Sequence, residues 1–356
     1  MSDLLDQVAE LVAVASPSFA EGPLADLVED RLAGSPWLQV TRVGDNLVAR
    51  SAGTGPRVLL AGHLDTVPAA GNAEPRRDGD VLWGLGSADM KAGLAVMLQL
   101  AAEETPPASP LSLVFYVAEE VDRRHNGLLA LEKARPDLLQ ADAVVLGEPT
   151  GAVVEAGCQG VLKLDVELGG RRAHTARPWT GTNAIHRLGP LLDRVAGWPE
   201  RRPTLDGCTY REALQAVAVS GGIADNVVPD RATVRLSHRY APDRDAARAG
   251  DSLRAWLEPV LDADADTLEV ADAAPAAAPE LTHPVLAAVV SASGAPPRAK
   301  LGWTDVAYFA ERGVPALNYG PGDPEVAHRA DERVERWQVE EVHRVLRRVL
   351  WGAADG

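Results

Sequence analysis

Apolar positions along this chain follow two different periods. Leu4, Leu5, Val8, Leu11 and Val12 recur at helical spacing, which predicts an amphipathic helix over residues 3–14, ended by Ser16-Pro17-Ser18. A second helix is expected over 24–32, stopping at Gly34. Short β-rich runs follow at 39–43, 47–50 and 58–61, then a helix at 90–103 and a turn rich in proline (Pro106, Pro107, Pro110). Residues 111–117 are continuously apolar and β-rich, so they read as a buried strand. A helix at 128–134 and a strand at 143–146 continue the alternation, which implies an α/β fold with a mixed, largely parallel sheet flanked by helices.

Near residue 160 the pattern changes. Residues 161–168 alternate like a half-exposed strand, 183–196 read as a helix, 216–219 and 232–240 as strands, and 244–257 as a helix. This is an α+β insert. An Ala/Pro-rich stretch, 271–279, reads as the return linker, and a helix at 284–291, a strand at 314–319 and a helix at 339–351 resume the first domain. The boundaries expected are 1–160 with 275–356 for a discontinuous first domain and 161–274 for the insert. No internal repeat is evident.

The chemistry collects where apolar runs stop. His63 and Asp65 follow the run 58–61, and a carboxylate two residues from an imidazole can accept its second N–H and fix its tautomer. Asp89 precedes a helix, where it could be a plain cap or could bridge two cations. Glu119 and Glu120 close the apolar run 114–118, and adjacent carboxylates there are costly without a compensating cation. One of them could ligate a metal while the other serves as general base. Glu148 follows the strand at 143–146, and His328 lies near the C-terminus. In open α/β sheets ligands bind at the carboxyl ends of the strands. His328 joins this group only if the chain beyond the insert folds back onto the first domain.

Composition narrows the partners. The net charge of −16 disfavours nucleic acid and anionic membrane surfaces, while an anionic small substrate remains compatible where bound dications and a few arginines invert the local field. No apolar run has membrane-spanning length, the N-terminus has no signal-peptide pattern, and Cys158 and Cys208 make no disulfide framework. A cytoplasmic protein is expected. The stretch 84–89 is glycine-rich, but its spacing is incomplete for a nucleotide loop and no Walker lysine follows. No Gly-x-Ser-x-Gly elbow occurs.

Six motifs together carry a resemblance: Gly-His-Leu-Asp-Thr-Val-Pro (62–68), Gly-Ser-Ala-Asp-Met-Lys (86–91), Glu-Glu (119–120), Gly-Glu-Pro-Thr (147–150), Arg-Ala-His-Thr-Ala-Arg-Pro (172–178) and Ala-His-Arg-Ala-Asp-Glu (327–332). With them the chain resembles the di-zinc aminoacylase and carboxypeptidase superfamily and, within it, the succinyl-diaminopimelate desuccinylases of actinobacteria. The resemblance implies a zinc-peptidase-like catalytic domain split by a dimerisation or lid domain, a homodimer, and two zinc ions per subunit for which cobalt can substitute. It implies that Asp89 bridges the ions, with His63 and Glu148 completing one site and Glu120 and His328 the other. Asp65 then orients His63, Glu119 is the general base, and His174 reaches the partner's site to stabilise an oxyanion. A cis peptide is implied at Asp89–Met90. Arg177, Asn226, Arg239 and Thr304 match positions near the substrate. The activity implied is removal of succinate from N-succinyl-LL-2,6-diaminopimelate. Alternatives are an N-acetylornithine or N-acetyl-lysine deacetylase or an aminoacyl exopeptidase of the same superfamily, and a non-catalytic metal-binding relative.

Overall fold

A computed structural model describes residues 3–352. The strand Val58–His63 is buried at every position, which requires cover on both faces of its sheet. It lies inside an eight-stranded sheet in the order Leu38–Val43, Asn46–Ser51, Leu111–Tyr116, Val58–His63, Ala143–Leu146, Ala316–Asn318, Glu155–Ala156, Arg298–Ala299. The four central strands run parallel, and antiparallel strands flank them. Alternate residues go to opposite faces. Val58, Leu60, Leu111, Leu113, Phe115, Ala143 and Val145 join a core shared with helices Leu4–Val12, Gly22–Leu32, Lys91–Ala101, Pro284–Ser293 and Arg336–Trp351. Leu59, Ala61, Val114 and Val144 point the other way and are equally buried.

Helix Lys91–Ala101 is buried everywhere except at Gln99, so it sits against the sheet with no solvent face. Its approach to the sheet depends on Gly93, where a Cβ would meet the Gly147 carbonyl oxygen at 2.3 Å. The last helix starts at Arg336, three residues earlier than the apolar periodicity indicates, because Glu335 and Gln338 form a capping box ahead of it.

By contacts the chain divides into two compact units, one of Met1–Gly157, Pro279–Arg298 and Thr304–Gly356, the other of Cys158–Ala278 and Ala299–Trp303. The second unit is an antiparallel sheet in the order Ala213–Gly221, Arg231–Tyr240, Gly160–Gly169, Thr267–Ala274. Leu162, Leu164, Val166 and Leu168 alternate onto a core with Leu188 and Leu191 of helix Ala184–Ala196 and Leu253 and Leu257 of helix Ala246–Leu257. The strand Thr267–Ala274 corrects the expected linker: residues 271–274 are its end rather than a connection. It is an edge strand with mostly exposed side chains, so backbone pairing holds it and its sequence carries no burial alternation. Cys158 and Cys208 are buried free thiols. No helix among the described residues is long and apolar enough to cross a membrane.

Candidate metal centre

The parallel register aligns the carboxyl ends of three neighbouring strands: His63 lies beside Tyr116, and Ala61 beside Leu146. The chain leaves Val58–His63 to form Leu111–Tyr116 on one side of it, then crosses to form Ala143–Leu146 on the other. In open α/β sheets such a reversal marks the strand ends where ligands bind. His63 ends the first strand, Glu119 and Glu120 follow the second, and Glu148 follows the third. His328 enters from the loop after Ala316–Asn318 and belongs to the same unit.

These residues gather around Asp89. His63 Nε2 lies 3.1 Å from Asp89 Oδ1, and His328 Nε2 lies 3.4 Å from Asp89 Oδ2 and 2.8 Å from Glu120 Oε1. Three groups have ligand atoms mutually within 4.8 Å: His63, Asp89 and Glu148; Asp89, Glu120 and His328; and His63, Glu119 and Glu120. Asp89 is common to the first two. The Asp89–Met90 peptide is cis. Ala118, just before the glutamate pair, and His328 both adopt left-handed backbone (φ 57° and 62°), a conformation that costs non-glycine residues energy and clusters at functional sites.

Asp65 makes contacts to several parts of the site. It is 1% exposed and accepts the amides of Glu119 at 3.0 Å and Glu120 at 3.1 Å and the Ser18 hydroxyl at 2.8 Å. His63 Nδ1 lies 2.9 Å from the Asp65 carbonyl oxygen and 3.5 Å from its carboxylate. Asp65 therefore touches the imidazole and holds the main chain of both glutamates at once. Ser18 is a partner that sequence reasoning missed, and no local pattern around Ser16-Pro17-Ser18 marks it.

The charges are far from their ordinary balance. Burial alone would lower the His63 imidazole, but its bonds to Asp65 and Asp89 hold it well above its usual value. Bonds to Asp89 and Glu120 push His328 up to about 10. Burial raises Asp89, yet His328 and His63 hold its carboxyl well below the normal range. Burial pushes Glu119 well above a normal carboxyl against the pull of His63, and the charges of Glu148, Glu120 and Asp305 push it further. A cation bound at these imidazoles and carboxylates would compete with protons for the same atoms. The donor set is imidazole nitrogen and carboxylate oxygen with no thiolate, which suits zinc, cobalt or manganese better than a soft ion.

Glu332 was also missed as an individual residue. Its Oε1 accepts the amides of Ala88 at 2.9 Å and Asp89 at 3.0 Å. Lys91, the next cation in the chain, is 2% exposed and donates to the Val14 carbonyl at 2.7 Å; burial lowers it to about 8.

The remaining predicted residues belong to none of these three groups. Thr304 is buried in the first unit, and its hydroxyl donates to Asn318 Oδ1 at 2.9 Å. His174, Arg177, Asn226 and Arg239 belong to the second unit. There the first three share one exposed loop pair: the Thr175 amide donates to the Asn226 carbonyl at 3.1 Å, the Arg177 amide to the His174 carbonyl at 2.7 Å, and His174 bridges Val227. Arg239 is half-buried on the strand Arg231–Tyr240, and burial pushes its guanidinium down. It makes no ion pair among the described residues.

The chain matches the model described as peptidase family M20/M25/M40 over residues 59–352. It is 48% identical over 352 residues to a Mycobacterium tuberculosis (strain H37Rv) protein provisionally named succinyl-diaminopimelate desuccinylase, with 98% of each chain covered. It is 42% identical over 359 residues to the succinyl-diaminopimelate desuccinylase of Corynebacterium glutamicum, covering 98% of this chain and 96% of that one. A Staphylococcus aureus tripeptidase shares the fold at a TM-score of 0.79 and 20% identity, over 98% of this chain and 97% of the other.

Proposed function

Because the chain belongs to peptidase family M20/M25/M40, we propose that it is a metal-dependent desuccinylase. It would cleave N-succinyl-LL-2,6-diaminopimelate to succinate and LL-diaminopimelate, a step toward lysine and peptidoglycan precursors. The observation that carries the hydrolytic reading is the cluster in which Asp89 belongs to two ligand groups and a half-buried Glu119 stands beside them. The substrate reading rests on the two near-full-length relatives named for that activity.

Two zinc ions fit the donors. His63, Asp89 and Glu148 would hold one, Asp89, Glu120 and His328 the other, with cobalt able to replace zinc. When bound, they supply positive charge that polarises an amide carbonyl and makes water easier to deprotonate. Glu120 is engaged with His328 at 2.8 Å, which leaves Glu119 as the base. Glu119 takes the proton of the attacking water and returns it to the amine as the C–N bond breaks. Its amide, pinned to Asp65, keeps the carboxylate from drifting. His174, offered by a second copy in a homodimer, would donate to the oxyanion. The reading includes a cytoplasmic setting.

The succinyl substrate carries three carboxylates, and a half-buried arginine without an ion pair is suited to meet one of them. Arg239→Ala should raise KM for the succinyl substrate by roughly 10-fold or more, the worth of a charge-assisted bond, with kcat changed far less. Steady-state kinetics at saturating zinc checks this, and an unaltered KM removes Arg239 from the pocket. Arg177, Asn226 and Thr304 are proposed as further contacts.

The deciding experiment is hydrolysis by zinc-loaded protein of N-succinyl-LL-diaminopimelate beside N-acetylornithine. Preferred succinyl cleavage, stopped by a chelator and restored by zinc, is expected. Cleavage of the acetyl substrate alone would make the chain a deacetylase. Cleavage of neither by metal-loaded protein would defeat the desuccinylase reading.

A further inference from the structure

Glu332 is 1% exposed and sits in the same short segment as His328. Its Oε1 takes two consecutive amides, Ala88 and Asp89, from a stretch with no helix or strand to satisfy them. The tie is reinforced from the backbone, since the Gly84 amide donates to the Glu332 carbonyl at 3.1 Å. The stretch is also tightly packed at Gly322, where a Cβ would meet Ala88 Cα at 2.7 Å. The main chain of Asp89 is thus fixed by Glu332, while its carboxylate is aimed at His63 and His328.

We propose that Glu332 is a positioning residue for both metal ions: one of its carboxylate oxygens fixes the main chain of Ala88 and Asp89, and so the carboxylate shared by the two ligand groups. One short segment would then act twice, through His328 on one ion and through Glu332 on both. This rests on the metal reading of the site above. Both amide bonds converge on one oxygen, so an amide side chain can keep them, while an apolar side chain of similar size leaves two buried N–H groups without an acceptor.

The test is equilibrium dialysis against chelator-buffered zinc, giving both dissociation constants for wild type, Glu332→Leu, Glu332→Gln and His328→Ala. Glu332→Leu should weaken both sites by about 10- to 100-fold, the range for residues that orient ligands. Glu332→Gln should stay close to wild type, and His328→Ala should weaken one site alone. Wild-type constants in Glu332→Leu, or loss of only one site, overturn the proposal. If Glu332→Leu does not fold, Glu332→Gln decides, with hydrogen exchange read at the Ala88 and Asp89 amides. Retained protection and retained zinc support the proposal, and loss of either in a folded Gln protein overturns it. A wild type that binds no pair of ions would instead defeat the metal reading itself.

Discussion

Glu119→Gln is expected to keep both metal ions and lose turnover by roughly 10²- to 10⁴-fold, the range attributed to a positioned acid–base group. The substitution preserves size and hydrogen-bonding reach but cannot accept the proton of water. Metal retention is expected because Glu119 belongs to neither group that contains Asp89. The pH profile supplies a second reading. With Glu119 as the proposed base, catalysis would need its ionised carboxylate, so kcat/KM is expected to fall as pH drops through the Glu119 pKa. Burial and the surrounding acids raise that pKa, which moves the acid limb above the position of an ordinary glutamate. Bound cations pull it partly back, so the limb is to be measured in the metal-loaded enzyme at constant metal content. Metal-replete Glu119→Gln with nearly full turnover would remove Glu119 from the chemistry.

Asp89→Asn should do the opposite: it should lose both ions along with activity. Asp89 is shared by the two ligand groups, so one substitution weakens two sites. Metal analysis after desalting should show well under one ion per chain. Thermal unfolding adds an independent check. A ligand present at a thousand times its Kd stabilises by about 4 kcal/mol, so a chelator should lower the Tm of wild type clearly and that of Asp89→Asn hardly at all. Two tightly held ions in Asp89→Asn would refute the shared-ligand arrangement.

Much of this centre was legible because its donors end apolar runs. His63, Glu119, Glu120 and Glu148 each close a stretch too apolar for the surface, and a charge placed at such a point is costly unless something compensates it. His328 was not legible that way. Its segment has no periodicity, and it stood as a candidate only on the condition that the chain beyond the insert folds back onto the first domain. Ser18 and Glu332 were out of reach as individual roles, because each works by hydrogen bonding to a segment distant in sequence. Spacing cannot report such a bond. The strand Thr267–Ala274 was lost for a related reason: backbone pairing specifies it, while pattern reading sees side chains.

The order in which the sheet is completed matters while the chain is being synthesised. Ala143–Leu146 pairs on one side with Val58–His63, made earlier, and on the other with Ala316–Asn318, made only after the whole second unit. Until then a nascent chain presents the apolar edge Ala-Val-Val-Leu without its neighbour, a template for misassociation. The second unit holds nearly all its strands in one contiguous stretch, so it can fold on the ribosome while that edge waits. His328 emerges later still, so metal loading becomes a late event in the life of each molecule, and premature termination anywhere before that segment yields a protein without a complete centre.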